Sequence, residues 1–512
     1  MRRSMQGTSK PDVRLSKWLV IALVVFALIF LFLGFIRSDN ALIHSFDTGL
    51  YLQILTNLSE GRGWASSLTG EHIFLAHHFQ PVIALLLPVH LLFSSAFGML
   101  VVSWAFIFAS ALFLALYLPR NEIASQKSAN IIALAFFLHP TITSRMYYSF
   151  VPEVMALPAL CFLAALLEKK GKLRSKDWVL LLVSMVFASL CKETLWLTTA
   201  WASLVFALAY RKTKEAHSFV LLAAVLLGLF CYLFLVWMPA HTSLNSYFGI
   251  SYYRNEWVDD RWGMAGKILG AALNIFSFES LSTLVIAVLL LPVGLVLFGG
   301  YLALLAALPA VIIILASSQS QVQDLTNHYL LGALPFLAVS SAVGLDRVLA
   351  RFSNDKMKHY FQAFVIAVPL IVTLFHNSGF LFQTLFATAR MSPGIREASE
   401  QLIKDIDPND LVLIDGSLQP LFHRLPNVKI ILGFQGNPTH LTPDDLVKAK
   451  HVITSNDLSE LKDCRSFKQG VGDLSVYDYE GFYTFCEWLK KEAFVKTVLV
   501  PDRIIHLTRK DK

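Results

Sequence analysis

Charge is what this chain has least of. Only 15% of its 512 residues are Asp, Glu, Lys or Arg, and 55% are hydrophobic, where a soluble domain carries about 25% charge. That balance excludes a disordered chain, which needs high charge and few apolar groups to stay unfolded. The 26 glycines are too few for a collagen-like fibre. Cysteine is rarer still, with five residues too scattered for a disulfide scaffold or a zinc module. Cys161, Cys191 and Cys231 lie in apolar runs and read as small packing residues. Cys464 and Cys486 lie in polar sequence and could pair if the C-terminal region is in an oxidising compartment, which the sequence leaves open. There is no G-x-G-x-x-G and no P-loop, so nothing marks a nucleotide site. The formal charge of +7 would suit nucleic acid, but the basic residues are sorted by membrane topology instead, and no nucleic-acid partner is expected.

Long apolar runs are what the chain has in abundance. Trp18–Ile36 follows a stretch containing Arg2, Arg3, Lys10, Arg14 and Lys17. At 1.5 Å per residue this run matches a hydrocarbon core of about 30 Å. It is too long for a signal-peptide core and reads as a retained first helix with its N-terminus in the cytoplasm. Further runs at 99–118, 129–147, 153–168, 177–191, 194–210, 217–238, 280–298, 300–316, 328–346 and 360–382 bring the total to eleven. The apolar stretch 81–95 decides the later orientations. If it stays at the outer surface as a partly buried helix, the inner side collects 19 Lys and Arg, including the run 169–176, against seven outside. Counting it as a span would turn that basic run outward. The positive-inside rule therefore favours eleven spans, a bacterial cytoplasmic-membrane location and an extracytoplasmic C-terminus.

The expected organisation is a cytoplasmic N-terminus at 1–17, then a multi-span domain at 18–382 with outer loops at 37–80 and 239–279. A small α/β extracytoplasmic domain follows at 383–512. In that last region Leu411–Ile414, Val428–Leu432, His451–Thr454 and Leu474–Tyr477 read as short strands between helical patterns.

Ionisable groups at membrane level are costly and usually functional. Asp39, Asp47, Glu60, His72, His77, His78, Arg145, Glu153, Lys192, Glu193 and His328 all fall at the outer ends of the spans. A substrate-handling site is therefore expected to face outward. Asp47 precedes Leu50–Leu58, whose apolar spacing suits an amphipathic helix lying on the membrane. Its carboxylate would stand at that helix's N-terminus, as a simple cap or as a functional group. Asp47-Thr48-Gly49 is also the aspartic-protease triplet, but that mechanism needs two aspartates and the chain has one such triplet. His77 and His78 are adjacent, so their side chains diverge by about 100° on a helix and a hydrogen-bonding role suits one of them better than joint chelation. Lys192-Glu193 reads most simply as a self-neutralising pair. His328-Tyr329 opens the tenth run, to bind phosphate or to anchor the helix at headgroup level. No ligand cluster has metal-site spacing, although a divalent cation stays open as a cofactor.

The order of these motifs resembles a family of bacterial and archaeal membrane proteins catalogued as domain-of-unknown-function family 2079. Phe46-Asp47-Thr48-Gly49-Leu50-Tyr51-Leu52-Gln53 looks like its F-D-x-G-x-x-x-Q, and His78-Phe79-Gln80-Pro81 like its H-F-S-P. Leu85-Leu86-Leu87-Pro88 is similar to its L-x-x-P, and Phe150 to Glu153 to F-H-P-E, with Val151 in place of His. Lys192-Glu193 matches K-E, and His328-Tyr329 with Pro335-Phe336 matches a final R-Y…P-F motif with His in place of Arg. Phe422 to Asn427 looks like a further family region in the C-terminal part. The wider architecture resembles the GT-C membrane glycosyltransferases: an acidic residue just after span one, about eleven spans and an outer C-terminal domain.

That resemblance implies an all-α polytopic fold and an inverting enzyme that moves a sugar from a polyprenyl-phosphate donor to an acceptor at the outer face. Asp47 would be the base. Gln53, His78, Arg145, Glu153, Lys192, Glu193, His328 and Tyr329 would line the substrate site, with the lipid bilayer and a polyprenyl-phosphate-linked sugar as partners. A membrane transporter is the main alternative. It is disfavoured by the absence of an inverted repeat and by largely apolar mid-span positions. A non-catalytic envelope scaffold is the other. The sequence leaves the oligomeric state open.

Overall fold

The computed structural model describes residues 15–39, 46–68, 73–169, 171–241, 269–270, 272–275, 299–317, 328–376, 395–414, 418–430, 443–454, 488–489, 494–500 and 504–509. The run 280–298, most of the loop 239–279, the strand expected at 474–477, His72, Cys464 and Cys486 lie outside them. Ten of the eleven apolar runs are helical among the described residues. These are α1 (Lys17–Asp39), α4 (Ala96–Arg120), α5 and α6 (Gln126–Phe137, Pro140–Tyr147), α7 (Glu153–Glu168), α8 (Ser175–Cys191) and α9 (Glu193–Ala209). Then come α10 (Glu215–Tyr232), continued through a π-helical turn, Leu233–Trp237, to His241, and the helices Tyr301–Ala316, Leu334–Leu349 and Asp355–His376. Before α4 stand α2 (Phe46–Ser59), a 3-10 turn at Phe74–Ala76, a 3-10 segment at Pro81–Leu86 and α3 (Leu87–Leu92).

Four described helices are long and apolar enough to cross a membrane: Lys17–Ser38, Ala96–Arg120, Glu215–His241 and Asp355–Phe375. All but Ala96–Arg120 are peripheral. On α1, Leu19, Leu23, Ala27 and Phe30 are buried while Ile21, Leu28 and Phe32 are exposed, the stripe of a helix with lipid on one side. The shorter helices fill the middle. α7 is buried almost throughout, and all eight residues of α6 are buried. Helices surrounded by protein need not match the lipid thickness alone, which is why composition under-reads them. Of the thiols in apolar runs, Cys161 and Cys191 are packing residues as expected, whereas Cys231 is exposed on α10.

The run 129–147 is not one helix. Pro140 has no N–H and disfavours helical geometry at the residue before it, so His139 is extended (φ −63°, ψ 137°). His139 Nδ1 then accepts from the Thr141 N–H at 3.2 Å and starts α6 afresh. The Ile142 and Thr143 N–H groups turn back to the His139 carbonyl. The Leu138 carbonyl instead accepts from Thr373 Oγ at 2.5 Å. A hydroxyl from a distant helix thus fills a backbone position that hydrocarbon would leave empty.

The stretch 81–95 is not one long helix. Six 3-10 residues and six α-helical ones reach only about 21 Å, short of a span. Val82, Ile83, Leu86 and His90 face the protein, while Leu85, Leu91, Leu92 and Phe93 are exposed. The chain then turns sharply into α4, where Ser95 Oγ accepts from the Gly98 N–H at 3.2 Å. A Cβ on Gly98 would meet the Phe93 carbonyl at 2.5 Å and Phe93 Cβ at 2.9 Å. Gly98→Ala is expected to lower stability by about 1–3 kcal/mol, read as a fall in the melting temperature of the detergent-purified protein; an unchanged value would show that the turn relaxes freely.

At the far end from this turn, acidic side chains staple helix starts. Glu168 Oε1 accepts from the Ala303 N–H at 2.8 Å. Asp346 accepts from the Ser125 N–H and hydroxyl and from Ser128 Oγ.

Among the described residues the C-terminal part forms a five-stranded sheet in the order β2-β1-β3-β5-β4, built from β1 (Leu411–Ile414), β2 (Val428–Ile430), β3 (Ala449–Thr454), β4 (Phe494–Val500) and β5 (Ile504–Arg509). β1 is parallel to β2 and β3, and β5 is antiparallel to β3 and β4. The helix Ile395–Asp405 and the turn 418–425 join this sheet to the membrane helices through Ile395, Leu402, Leu418, Phe422 and Leu425, which share the main core.

Two histidines hold that junction. His90 Nε2 lies 3.2 Å from Thr56 Oγ, and His423 lies 3.2 Å from Ser94 Oγ, the rings 6.1 Å apart. Burial holds both well below the ordinary imidazole value of 6.5, at about 4, with nearby Arg424 adding to the shift. Both favour the folded junction fully above pH 6.5, and that contribution is lost as pH falls from 6.5 through about 4. Limited proteolysis of the C-terminal region should therefore accelerate over that window, and His423→Gln should flatten the dependence. A native rate that does not change with pH would show that the histidines do not hold the junction.

Candidate functional site

The end of the bundle that bears the C-terminal sheet gathers the polar residues. α1 ends there, α2 and α7 begin there, and the α8–α9 turn lies beside them. Thr48 Oγ accepts from the Phe150 N–H at 3.1 Å, pinning the start of α2 to the turn between α6 and α7. Phe150 packs edge-on to Tyr51, with ring centroids 5.7 Å apart.

Asp47 is half-buried in the first turn of α2, where the helix N-terminus favours negative charge. Its charge acts on Tyr51 one turn along, and on Arg145, Tyr148 and Lys192 from other elements. Arg145, at the end of α6, is buried and reaches Ser144 and Ser149. Lys192 and Glu193 act on one another through space but form no direct ion pair. Lys192 Nζ pairs with Glu153 Oε1 at 3.1 Å, and Glu193 Oε1 lies 3.0 Å from His78 Nδ1. The backbone explains this: Lys192 is extended between two helices, so its side chain and that of Glu193 diverge. Glu153, Lys192 and Glu193 are all nearly inaccessible. The second Glu193 oxygen is buried with no hydrogen-bond partner among the described residues.

The structure thus brings together Asp47, Arg145, Glu153, Lys192, Glu193 and His78. Gln53 stands elsewhere, about 120° round α2 from Asp47. It donates to Ser67 Oγ at 2.8 Å and accepts from Ser66 Oγ at 2.8 Å. Its amide also reaches the Leu425 carbonyl at 3.5 Å, at the junction with the C-terminal sheet. Nor does α2 lie on the membrane surface. Thr48 through Asn57 are buried, and its polar face is covered by protein. Asn57 donates to the Ala65 carbonyl at 2.7 Å, so the groups that looked solvent-facing are satisfied by the first loop. Tyr329 is half-buried in a 3-10 turn, His328–Gly332, against α6 and α7. The His328 side chain lies outside the described residues. Glu60 is at the surface, paired with Arg62.

Sequence reasoning missed Arg37, Tyr147 and Tyr148. Arg37 reads as an ordinary charge closing a span, yet it is fully buried with its guanidinium 5.6 Å from the Tyr148 ring centroid. Tyr147 stacks on Phe30 of α1, centroids 5.9 Å apart. The adjacent tyrosines beside Arg145 were the available signal.

The chain matches the family described as Predicted membrane protein (DUF2079) over residues 37–485 and belongs to it. No curated protein matches. Among solved structures, ArnT from Cupriavidus metallidurans bound to undecaprenyl phosphate is similar at a TM-score of 0.55 and 13% identity, covering 96% of this chain and 98% of that one. ArnT in the apo state gives 0.53 and 12%, with coverage of 96% and 97%. The arabinofuranosyltransferase AftD from Mycobacteria gives 0.50 and 17%, and the match covers 97% of this chain but 40% of AftD. At these identities the likeness is one of fold. The chain is a membrane protein with the GT-C architecture and a small C-terminal sheet.

Proposed function

We propose that this DUF2079 member is a GT-C membrane glycosyltransferase that moves a sugar from a polyprenyl-phosphate donor to an acceptor at the outer face. The observation that carries the reading is the cluster of half-buried Asp47 with buried Arg145, Glu153, Lys192 and Glu193 at the sheet-bearing end of this fold. The undecaprenyl phosphate bound to ArnT, on a similar chain trace, supports a lipid-phosphate ligand. The bias of Lys and Arg toward the opposite end supports an outward-facing site.

In a single displacement, the acceptor oxygen attacks the anomeric carbon as the bond from that carbon to the phosphate oxygen breaks, with inversion. The acceptor proton passes to the Asp47 carboxylate and the bonding electrons leave with the lipid phosphate. Arg145 and Lys192 offer positive charge where the phosphate develops it negatively. Glu153 orients Lys192, His78 orients Glu193, and the second Glu193 oxygen accepts a sugar hydroxyl. A phosphate leaving group is already weakly basic, so no general acid is required.

The test is transfer from a radiolabelled polyprenyl-phosphate-sugar pool in membranes with and without the protein. Label appearing in a new acceptor only with the protein supports the reading. Label that crosses the membrane unchanged in its lipid carrier would overturn it in favour of transport.

A further inference from the structure

A cleft of about 110 Å³ opens where the C-terminal region meets the membrane helices. Its floor is Phe35, in the last turns of α1, and Phe97, in the first turn of α4, packed edge-on with centroids 5.5 Å apart. Ser38 and Ser95 supply hydroxyls at the next level, while Ser94 Oγ is taken up by His423 Nε2 at 3.2 Å. Its roof is the side of the C-terminal region that carries Arg396, Glu400 and Arg424. Arg396 pairs with Glu400 at 3.1 Å. Arg424 is exposed and makes no ion pair among the described residues, so the cleft keeps one uncompensated positive charge. His423, also in the lining, is held neutral by burial near neutral pH.

The height of the cleft identifies its occupant. α1 and α4 are both long enough to span, and their ends mark the level of the lipid headgroups. Leu91, Leu92 and Phe93, just before the serines of the rim, are 62–76% exposed, so acyl chains run up to this side of the protein. Apolar rings below, hydroxyls between and a guanidinium above repeat the layering of a phospholipid in the same order. A soluble anion would have no use for the phenylalanine floor.

We infer that this cleft binds the phosphate headgroup of an anionic membrane phospholipid, with Arg424 as its principal contact and the hydroxyls of Ser38 and Ser95 as donors to the phosphate. The bound lipid bridges the C-terminal region to the membrane at a place separate from the Asp47 cluster. The inference does not depend on the enzyme reading and can fail without affecting it.

The full-length protein, exchanged into nanodiscs of equal phosphatidylglycerol and phosphatidylcholine, is examined by native mass spectrometry for retained lipid. The native protein should retain phosphatidylglycerol about tenfold over phosphatidylcholine, the size expected of one charge-assisted contact. Arg424→Gln should bring the ratio near parity, and Arg424→Lys should recover part of it. Arg396→Gln, on the same roof, should weaken retention less, because Arg396 is already paired. Retention unchanged in Arg424→Gln would overturn the inference. So would displacement of the lipid by soluble glycerol phosphate at matched concentration, which would make the cleft a site for free phosphate.

Discussion

Asp47→Asn is expected to lower sugar transfer by about 10²–10⁴-fold, the usual worth of a positioned general base, with the amount of protein in the membrane unchanged. Asn fills the same volume and serves a helix N-terminus about as well as Asp. The substitution therefore leaves the start of α2, and the Thr48 bond beside it, as they are. What it removes is the charge and the ability to take a proton. A capping role predicts native transfer and native melting temperature in the variant. A catalytic role predicts native melting and lost transfer. Donor binding should change little, because the phosphate contacts are assigned to Arg145 and Lys192, so the loss should appear in kcat rather than KM. Transfer at the native rate would remove Asp47 from the mechanism.

Lys192→Met should cost about 3–5 kcal/mol of stability, the largest effect expected from any single change in the cluster. Glu153 and Lys192 are both buried and 3.1 Å apart. Removing one partner leaves a charge that water cannot reach. Combining Lys192→Met with Glu153→Gln removes both charges and should restore most of the loss, because a buried pair contributes little net stability over uncharged groups of similar size. Thermal melting of the purified variants measures this directly. Activity separates the roles. If Lys192 also neutralises phosphate, transfer stays low in the double variant although its stability has returned. A single variant as stable as the native protein would show that Glu153 finds another partner or takes up a proton.

The membrane architecture was legible because its signals are long and local. Nineteen apolar residues mean a span, and the basic run 169–176 fixes a side. The reading of 81–95 as a non-crossing segment came from that bias alone, and the structure makes the stretch a short mixed helix, Pro81–Leu86 and Leu87–Leu92. β1 was found at its own ends, since a continuous apolar run between turn residues has few alternatives. β4 and β5 were not found. Phe494–Val500 and Ile504–Arg509 carry Lys, Thr, His and Arg among their apolar residues, and they become strands by pairing with each other and, through β5, with β3. Long-range pairing of that kind leaves no periodic trace.

In the cluster, the sequence could name Lys192, Glu193, Glu153 and His78 but not who pairs with whom. Adjacent residues suggested one pair, and the extended backbone at Lys192 made two others. Gln53 and α2 were misread for a related reason. Polar residues on an amphipathic helix look the same whether water or a folded loop satisfies them, and here Ser66, Ser67 and Ala65 do so.

The hydroxyl of Thr373 that serves the Leu138 carbonyl also ties together two parts of the chain that are made at different times. The break at His139-Pro140 enters the membrane early in synthesis, while its partner lies on Asp355–His376, more than two hundred residues later. Until that helix arrives, the bundle holds an open backbone acceptor at the seam between two half-helices. A chain stopped short of residue 355 would thus lack the one donor that the Leu138 carbonyl has among the described residues of the folded bundle.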